Sequence, residues 1–408
     1  MKKYTRWSKA IIENALKHRR VVILEGSRQC GKTTLAQEFI NKDVIYRTLD
    51  DVSLLEGAQA DPHNFVENSS NLMIIDEIQR APLLLPAIKK VVDEDTRYGQ
   101  FLLTGSANIQ SLPSINESLA GRVKNIRLRP LSEGEIRGVT PTFLKNAFAQ
   151  NMTVKSNALN RNQIIDIAFR GGFPEAIKLN SRERSSWHKD YLQAILQRDL
   201  KDIINIKRQG TMNELVAILA AWSSKFMDIS SIGSSLSIQR TTLESYTNAL
   251  EALYLIEKID PWIKTDYDRV GKHSKIFMTD SGMMSSILKW KKDQLQFDSD
   301  KIGKLIETFI FNELSSQIDL CNDEYTLYHY RDREKREIDF LIEREDGMLL
   351  GIEVKSATTI TKDSFKHLKW FQNNIAKKGQ FIGIVLYTGK SIVSFGEGLW
   401  AVPMSILW

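Results

Sequence analysis

The run GSRQCGKT, from Gly26 to Thr33, constrains this chain more than any other feature, because it has the spacing G-x-x-x-x-G-K-[ST]. Glycines at both ends let backbone N–H groups close around phosphate oxygens. On this reading Gly26, Ser27, Arg28, Gln29, Cys30, Gly31 and Thr34 form the cradle, and Lys32 reaches the β- and γ-phosphates of ATP. Thr33 puts its hydroxyl on Mg²⁺. The context agrees: VVILE (Val21 to Glu25) reads as a buried strand, and TTLAQEFI (Thr33 to Ile40) continues as an amphipathic helix. A second apolar run, LMIIDE at Leu72 to Glu77, has the form of a parallel strand that delivers acids at its C-terminal edge. Asp76 is expected to hold Mg²⁺ through water, and Glu77 to orient the attacking water.

Length bounds the rest. At 408 residues the chain exceeds one ordinary core, so two to three domains are expected. No apolar run approaches the roughly 18 residues of a membrane-spanning helix, and the start MKKYTRW lacks a signal-peptide core, so a cytoplasmic protein with no membrane partner is expected. Its two cysteines, Cys30 and Cys321, make no disulfide framework and have no metal-ligand spacing. The net charge of +6 is a mild indication of a polyanionic partner.

Beyond the carboxylates, FLLT at Phe101 to Thr104 is another buried-strand pattern, opening into GSAN. In a parallel sheet the neighbouring strand ends beside the phosphates, so Thr104, Ser106 and Asn108 are candidate γ-phosphate sensors. Arg122 in SLAGRV follows, as a candidate to reach the γ-phosphate of a neighbouring subunit, with Arg80 as the rival. That role requires a homo-oligomer, possibly a ring.

SRQCGKT, IDEIQRAP, FLLTGSAN, SLAGRV and the later GGFPEA together resemble a large bacterial and archaeal family of AAA-type ATPases. The resemblance implies an ATPase joined to a winged helix and to a C-terminal nuclease-like domain. It also marks Arg198 and Asp199 as an internal contact or nucleotide-sensing pair.

In the middle of the chain, GGFPEA at Gly171 to Ala176 is a turn signal. Tyr191, Leu192, Ile195, Leu196, Leu200 and Ile203 then recur at helical spacing, which looks like the helical lid of an AAA-type module. Short helices follow: LVAILAAW, a second region at SSIGSSLS, and a longer third that runs into YLIEKI. Gln239, Arg240, Thr241, Thr242 and Ser245 stand at the leading end of the third, where a helix-turn-helix meets DNA. A hairpin from Ile259 to Thr279 would be the wing, carrying Lys264, Arg269, Lys272 and His273.

The C-terminal third holds a second constellation. EIDFLIE at Glu337 to Glu343 is followed across a polar turn by GIEVKSA. With a period of two, Glu353 and Lys355 share one strand face, and Asp339 lies on the preceding strand. This order is the PD-(D/E)XK pattern, with Ile338 in place of the proline, and the upstream helix at Ile302 to Leu314 supplies Glu307. Asp339, Glu353 and Glu307 would hold Mg²⁺, and Lys355 would position the attacking water. The alternative is a charged sheet edge. In the following FKHLKWFQNNIAKK, Phe365, Leu368, Phe371 and Ile375 fall at helical spacing and read as core, while His367 and the lysines are free to face phosphate.

The expected fold is therefore α/β: a P-loop NTPase core of AAA type over residues 1–150, a helical lid over 151–205, a winged helix over 206–290 and a restriction-endonuclease-like α/β domain over 291–408. The function expected is an ATP-hydrolysing DNA-processing protein in which nucleotide state controls DNA engagement or Mg²⁺-dependent cleavage. The alternative is an ATP-regulated DNA- or protein-binding switch, or a branched-DNA motor, with a silent nuclease-like domain.

Overall fold

The computed structural model describes residues 3–67, 71–106, 121–153, 159–203, 209–263, 273–295, 297–321, 324–377 and 379–408. Three short apolar runs form the middle of one five-stranded sheet, with a half-buried strand, IYRT or VKNIR, at each edge, and its strands run parallel because helices rather than tight turns connect the first four of them. The strands are β1 (Val21–Glu25), β2 (Ile45–Thr48), β3 (Met73–Asp76), β4 (Phe101–Gly105) and β5 (Val123–Arg127), all parallel in the order β2-β3-β4-β1-β5. Both faces are covered. Val21, Ile23, Ile75 and Leu103 pack on one side and Val22, Leu24, Ile74 and Leu102 on the other, which is why these strands read as continuous rather than alternating apolar runs.

The second sheet is larger and crosses the expected boundary at 290/291. Its strands are β6 (Lys225–Phe226), β7 (Ile256–Pro261), β8 (Lys275–Met278), β9 (Tyr325–Arg331), β10 (Glu337–Arg344), β11 (Leu349–Lys355), β12 (Phe381–Tyr387), β13 (Val393–Gly396) and β14 (Leu399–Pro403). The order among the described residues is β13-β14-β12-β11-β10-β9-β7-β8-β6, joined at the parallel pair β7 and β9. One apolar core runs from Phe143 through Leu196, Leu215 and Phe277 to Phe311 and Leu407. Lid, middle helices and C-terminal sheet therefore share a single packed body.

The third middle helix ends at Ala252 rather than running through YLIEKI, and Ile256–Pro261 extends as β7. The helix stops at Leu253 and Tyr254, and Tyr254 adopts φ +57°, which reverses the chain into the strand. Of the four basic residues expected on the wing, Lys264, Arg269 and Lys272 lie outside the described residues, as does Asn108.

Candidate functional site

The phosphate loop connects β1 to the helix Lys32–Gln37. Gly26 and Gly31 sit at φ +153° and +105°, and a Cβ on Gly26 would stand 2.1 Å from the Leu128 carbonyl oxygen, so glycine is required there. Arg6, which no motif in the chain singles out, is buried and donates to the Cys30 carbonyl at 2.7 Å and to Glu135 at 3.0 Å. It holds the loop from outside. Cys30 is itself buried, with Sγ 3.3 Å from the Leu128 carbonyl, so it packs the loop rather than touching ligand. Lys32 folds back on its own loop, donating to the carbonyls of Gly26 and Ser27, each at 2.9 Å.

Thr33, Tyr46 and Thr104 gather on the Asp76 carboxylate at the end of β3. Thr33 Oγ1 lies 3.0 Å and 3.2 Å from the two Asp76 oxygens, and Tyr46 donates to Asp76 at 3.1 Å. Thr104 also donates to Asp76, and its hydroxyl accepts from the Glu77 N–H at 3.2 Å, so the sensor candidate bridges the Asp76 carboxylate and the Glu77 backbone. Glu77 adopts φ +61°, a left-handed conformation that a non-glycine residue holds at a cost of about 1 kcal/mol. That turn lifts its carboxylate off the strand, where Gln79 grips it while also donating to Ser106 at 3.0 Å. Hard oxygen donors beside a glycine cradle fit Mg²⁺ and a triphosphate; Thr33 and Asp76 would hold the ion.

A cavity of about 380 Å³ opens over this centre, lined by Arg28, Gln29, Lys32, Thr33, Thr34 and Glu77 and also by Pro174, Glu175 and Lys178. The last three belong to the GGFPEA turn or follow it. Gly172 is pinned there: its carbonyl accepts from the Leu131 N–H at 2.8 Å, its N–H donates to Asp280 at 2.7 Å, and a Cβ would meet the Leu131 oxygen at 2.1 Å. The lid helix joins the same loop. Arg28 pairs with Asp199 at 2.9 Å, and Tyr191 donates to the Arg28 carbonyl at 3.1 Å. Of the expected Arg198 and Asp199, Asp199 makes an internal contact with the phosphate loop through Arg28.

Arg122 lies at the other end of the sheet. Its carbonyl accepts from the N–H of Val21, the first residue of β1, and its guanidinium meets Asp93. The length of β1, roughly 16 Å at about 3.3 Å per residue, separates it from its own phosphate loop. Arg80 is paired with Asp50 at 2.7 Å.

The C-terminal constellation also comes together. Relative to β9, the register of β10 shifts between Ile338 and Leu341, at Asp339. Asp339 Oδ2 accepts from the Val354 N–H at 2.9 Å, and Lys355 donates to Glu353 at 2.9 Å. Glu307 arrives from the helix Ser299–Ile318. Missed by the sequence reading is Lys275 of β8, 1% exposed, whose Nζ lies 2.5 Å from Glu307, 3.1 Å from Glu337 and 3.5 Å from Asp339. A charged residue opening the apolar run KIFM was the available signal.

Burial raises Glu353 to about 8, with the Asp339 charge adding to it and Lys355 opposing. Burial likewise raises Glu307 to about 7, against the pull of Lys275. Lys275 itself is held above its ordinary value, since Glu307, Asp339 and Glu337 outweigh its burial. An ammonium already contacts two of the three expected metal ligands, and no group of three or more His, Cys, Asp or Glu among the described residues is arranged to hold a metal. As arranged, these residues do not fit a divalent ion.

An AAA domain family matches residues 18–137. Two families described as domains of unknown function, DUF8612 and DUF4143, match residues 161–294 and 302–407. The first match, the motifs and the parallel sheet identify an AAA-type P-loop ATPase domain in the N-terminal third. Uncharacterized proteins of Mycobacterium bovis and Mycobacterium tuberculosis are each 28% identical over 86% of this chain and 73% of their own length. Among solved structures, the Holliday junction branch migration motor RuvB of Thermotoga maritima is 18% identical over 61% of this chain and 88% of its own, with a TM-score of 0.28. AMPPCP-bound DnaA from Aquifex aeolicus is 16% identical over 60% of this chain and 85% of its own, with a TM-score of 0.29. TM-scores this low carry no weight for fold or function. No helix among the described residues is long and apolar enough to cross a membrane.

Proposed function

We propose that this chain binds and hydrolyses ATP with Mg²⁺ and uses the nucleotide state to control its grip on DNA. The convergence of Thr33, Asp76, Glu77 and Thr104 under a cavity closed by Pro174, Glu175 and Lys178 carries this reading. Lys32 leaves its loop carbonyls for the phosphates, Asp76 and Thr33 hold the ion, and Glu77 orients water. Arg122, out of reach of its own pocket, serves a neighbouring copy in a homo-oligomer. Movement of the GGFPEA turn is passed to Asp280, two residues beyond the end of β8, and so to the shared body.

Two surfaces support DNA as the partner. The helices Gln209–Ala221, Ile229–Leu236 and Arg240–Ala252 with antiparallel β6, β7 and β8 have the element order of a winged helix, and Gln239, Arg240, Thr241 and Ser245 are exposed at the leading end of the third. Beside the lid, a groove of about 1040 Å³ is lined by Arg182, Lys189, Lys289 and Lys291, matching a phosphate backbone in charge. ATP turnover measured with duplex, single-stranded and junction DNA tests the reading; equal rates with all three and without DNA would argue for a protein partner. For the restriction-endonuclease-like C-terminal domain, the Lys275 contacts favour gripping over cutting. Magnesium-dependent cleavage that disappears in Asp339→Ala and Lys355→Ala would reverse that choice.

A further inference from the structure

We propose that Lys275 is the resident cation of the C-terminal acidic centre and holds the place a divalent metal would take. The inference rests on reading Asp339, Glu353 and Lys355 as a nuclease-like core. The ammonium lies within 3.5 Å of oxygens from three carboxylates on two separate elements: Glu307 on a helix, and Glu337 and Asp339 on β10. Magnesium needs oxygens at about 2.0–2.1 Å in an octahedron, and it would have to share Glu307 and Asp339 with a positive charge already in hydrogen-bonding contact with them. In a buried site that repulsion is poorly screened.

Lys275 is also fixed in place. Its backbone pairs with Phe226 on β6 and Ile259 on β7, so the strand that carries it lies between two others. Its Nζ sits 5.8 Å and 5.9 Å from the ring centres of Phe226 and Phe277, which wall it from water. Withdrawal would leave Glu307, Glu337 and Asp339 without the ammonium they share, and the Lys355 charge, which acts on Asp339 and Glu307, is itself paired with Glu353. The lysine thus ties the middle strands to the C-terminal domain electrostatically, as the β7–β9 pairing does through the backbone.

The test is Mn²⁺ titration followed by electron paramagnetic resonance, on the full chain without nucleotide and with Asp76→Asn to silence the phosphate-loop ion. With Lys275 present, no Asp339-dependent Mn²⁺ site is expected. Lys275→Met should gain one, at least tenfold tighter than any binding by the parent, and lose it again when Asp339→Asn is added. Where Lys275→Met does not fold, Lys275→Gln combined with Glu307→Gln removes the nearest carboxylate together with the ammonium, which lessens the repulsion left behind, and is read in the same way through Asp339 and Glu353. An Asp339-dependent Mn²⁺ site in the parent overturns the role of Lys275 while leaving the nuclease-like reading intact. A lower melting temperature in Lys275→Met, regained in the double variant, with no Mn²⁺ site in either, overturns the nuclease-like reading and the metal-replacing role with it.

Discussion

The phosphate-loop centre and the C-terminal acidic centre are both built from strand-borne carboxylates beside a buried lysine, and they differ in what that lysine holds. Lys32 rests on two carbonyls of its own loop, uncharged partners whose charge-assisted hydrogen bonds are worth about 1.5–3 kcal/mol each. Lys275 rests on three carboxylates, where breaking a buried pair costs about 3–5 kcal/mol. The same residue type is a movable ligand group in one centre and a structural cation in the other. Counter-charge, not burial, makes the difference.

The largest effect expected from this contrast is functional. Lys32→Ala should lower ATP turnover by about 10³-fold, roughly 4 kcal/mol of transition-state stabilisation, while the melting temperature barely moves. Phosphate release and thermal unfolding measured on one preparation check both halves. A variant that unfolds instead would make Lys32 a structural cation and erase the contrast.

Arg129 extends the locked class to the junction of the two sheets. It bonds Glu257 of β7 at 2.6 Å and Asp319 at 2.6 Å, and Arg127 reaches the same Glu257 at 2.7 Å. Burial alone would raise Glu257, yet the two guanidinium groups bring it down to about 2. Its contribution is therefore present above the ordinary carboxylate value near 4.3 and is lost as pH falls toward 2. Arg129→Met should cost about 3–5 kcal/mol at neutral pH, measured by urea unfolding, and should flatten stability against pH between 2 and 4. A loss below about 1 kcal/mol would mean that this cluster is screened like a surface pair.

How much of this was legible follows from locality. The loop Gly26 to Thr33 and the strand ending at Asp76 and Glu77 are contiguous, so their chemistry is written in short spacings. The hairpin placing Asp339 beside Glu353 is nearly as local, and alternation sufficed. Lys275, Arg6 and Arg129 were not readable as partners, because each meets carboxylates far along the chain: Glu307, Glu135 and Glu257. The continuation of β7 and β8 into the C-terminal sheet was hidden for the same reason. Pairing of β7 with β9 depends on backbone groups that every residue has.

Glu313 sharpens the comparison from the opposite side, as a buried carboxylate that accepts from the Glu133 backbone N–H at 2.7 Å and is 2% exposed. Burial and the nearby Glu133 and Glu135 charges outweigh that hydrogen bond and the pull of Arg170, raising it to about 8. Below about 4.3 folded and unfolded chains are both protonated there. Between that value and 8 only the folded chain keeps the proton, so stability falls as pH rises. Relative to wild type, Glu313→Gln should gain on the order of 2–4 kcal/mol between pH 5 and pH 8, seen as diverging urea midpoints. Parallel curves would place a compensating cation at this carboxylate and move it into the locked class.

The smallest effect concerns the contact between loop and lid. Arg28 and Asp199 form a single ion pair at 2.9 Å with the arginine side chain 37% exposed, so the pair should be worth less than about 1 kcal/mol. Solvent reaches it, and at 1 M salt the screening length falls to about 3 Å. Arg28→Ala should therefore leave the melting temperature nearly unchanged at high salt. At low salt it should speed release of a fluorescent ATP analogue a few-fold, because Arg28 lines the cavity and its partner belongs to the lid. Stopped-flow release at both salt concentrations reads this directly. A large loss of stability independent of salt would put Arg28 with Lys275 and Arg129, and the phosphate loop would then hold a fixed cation beside its movable one.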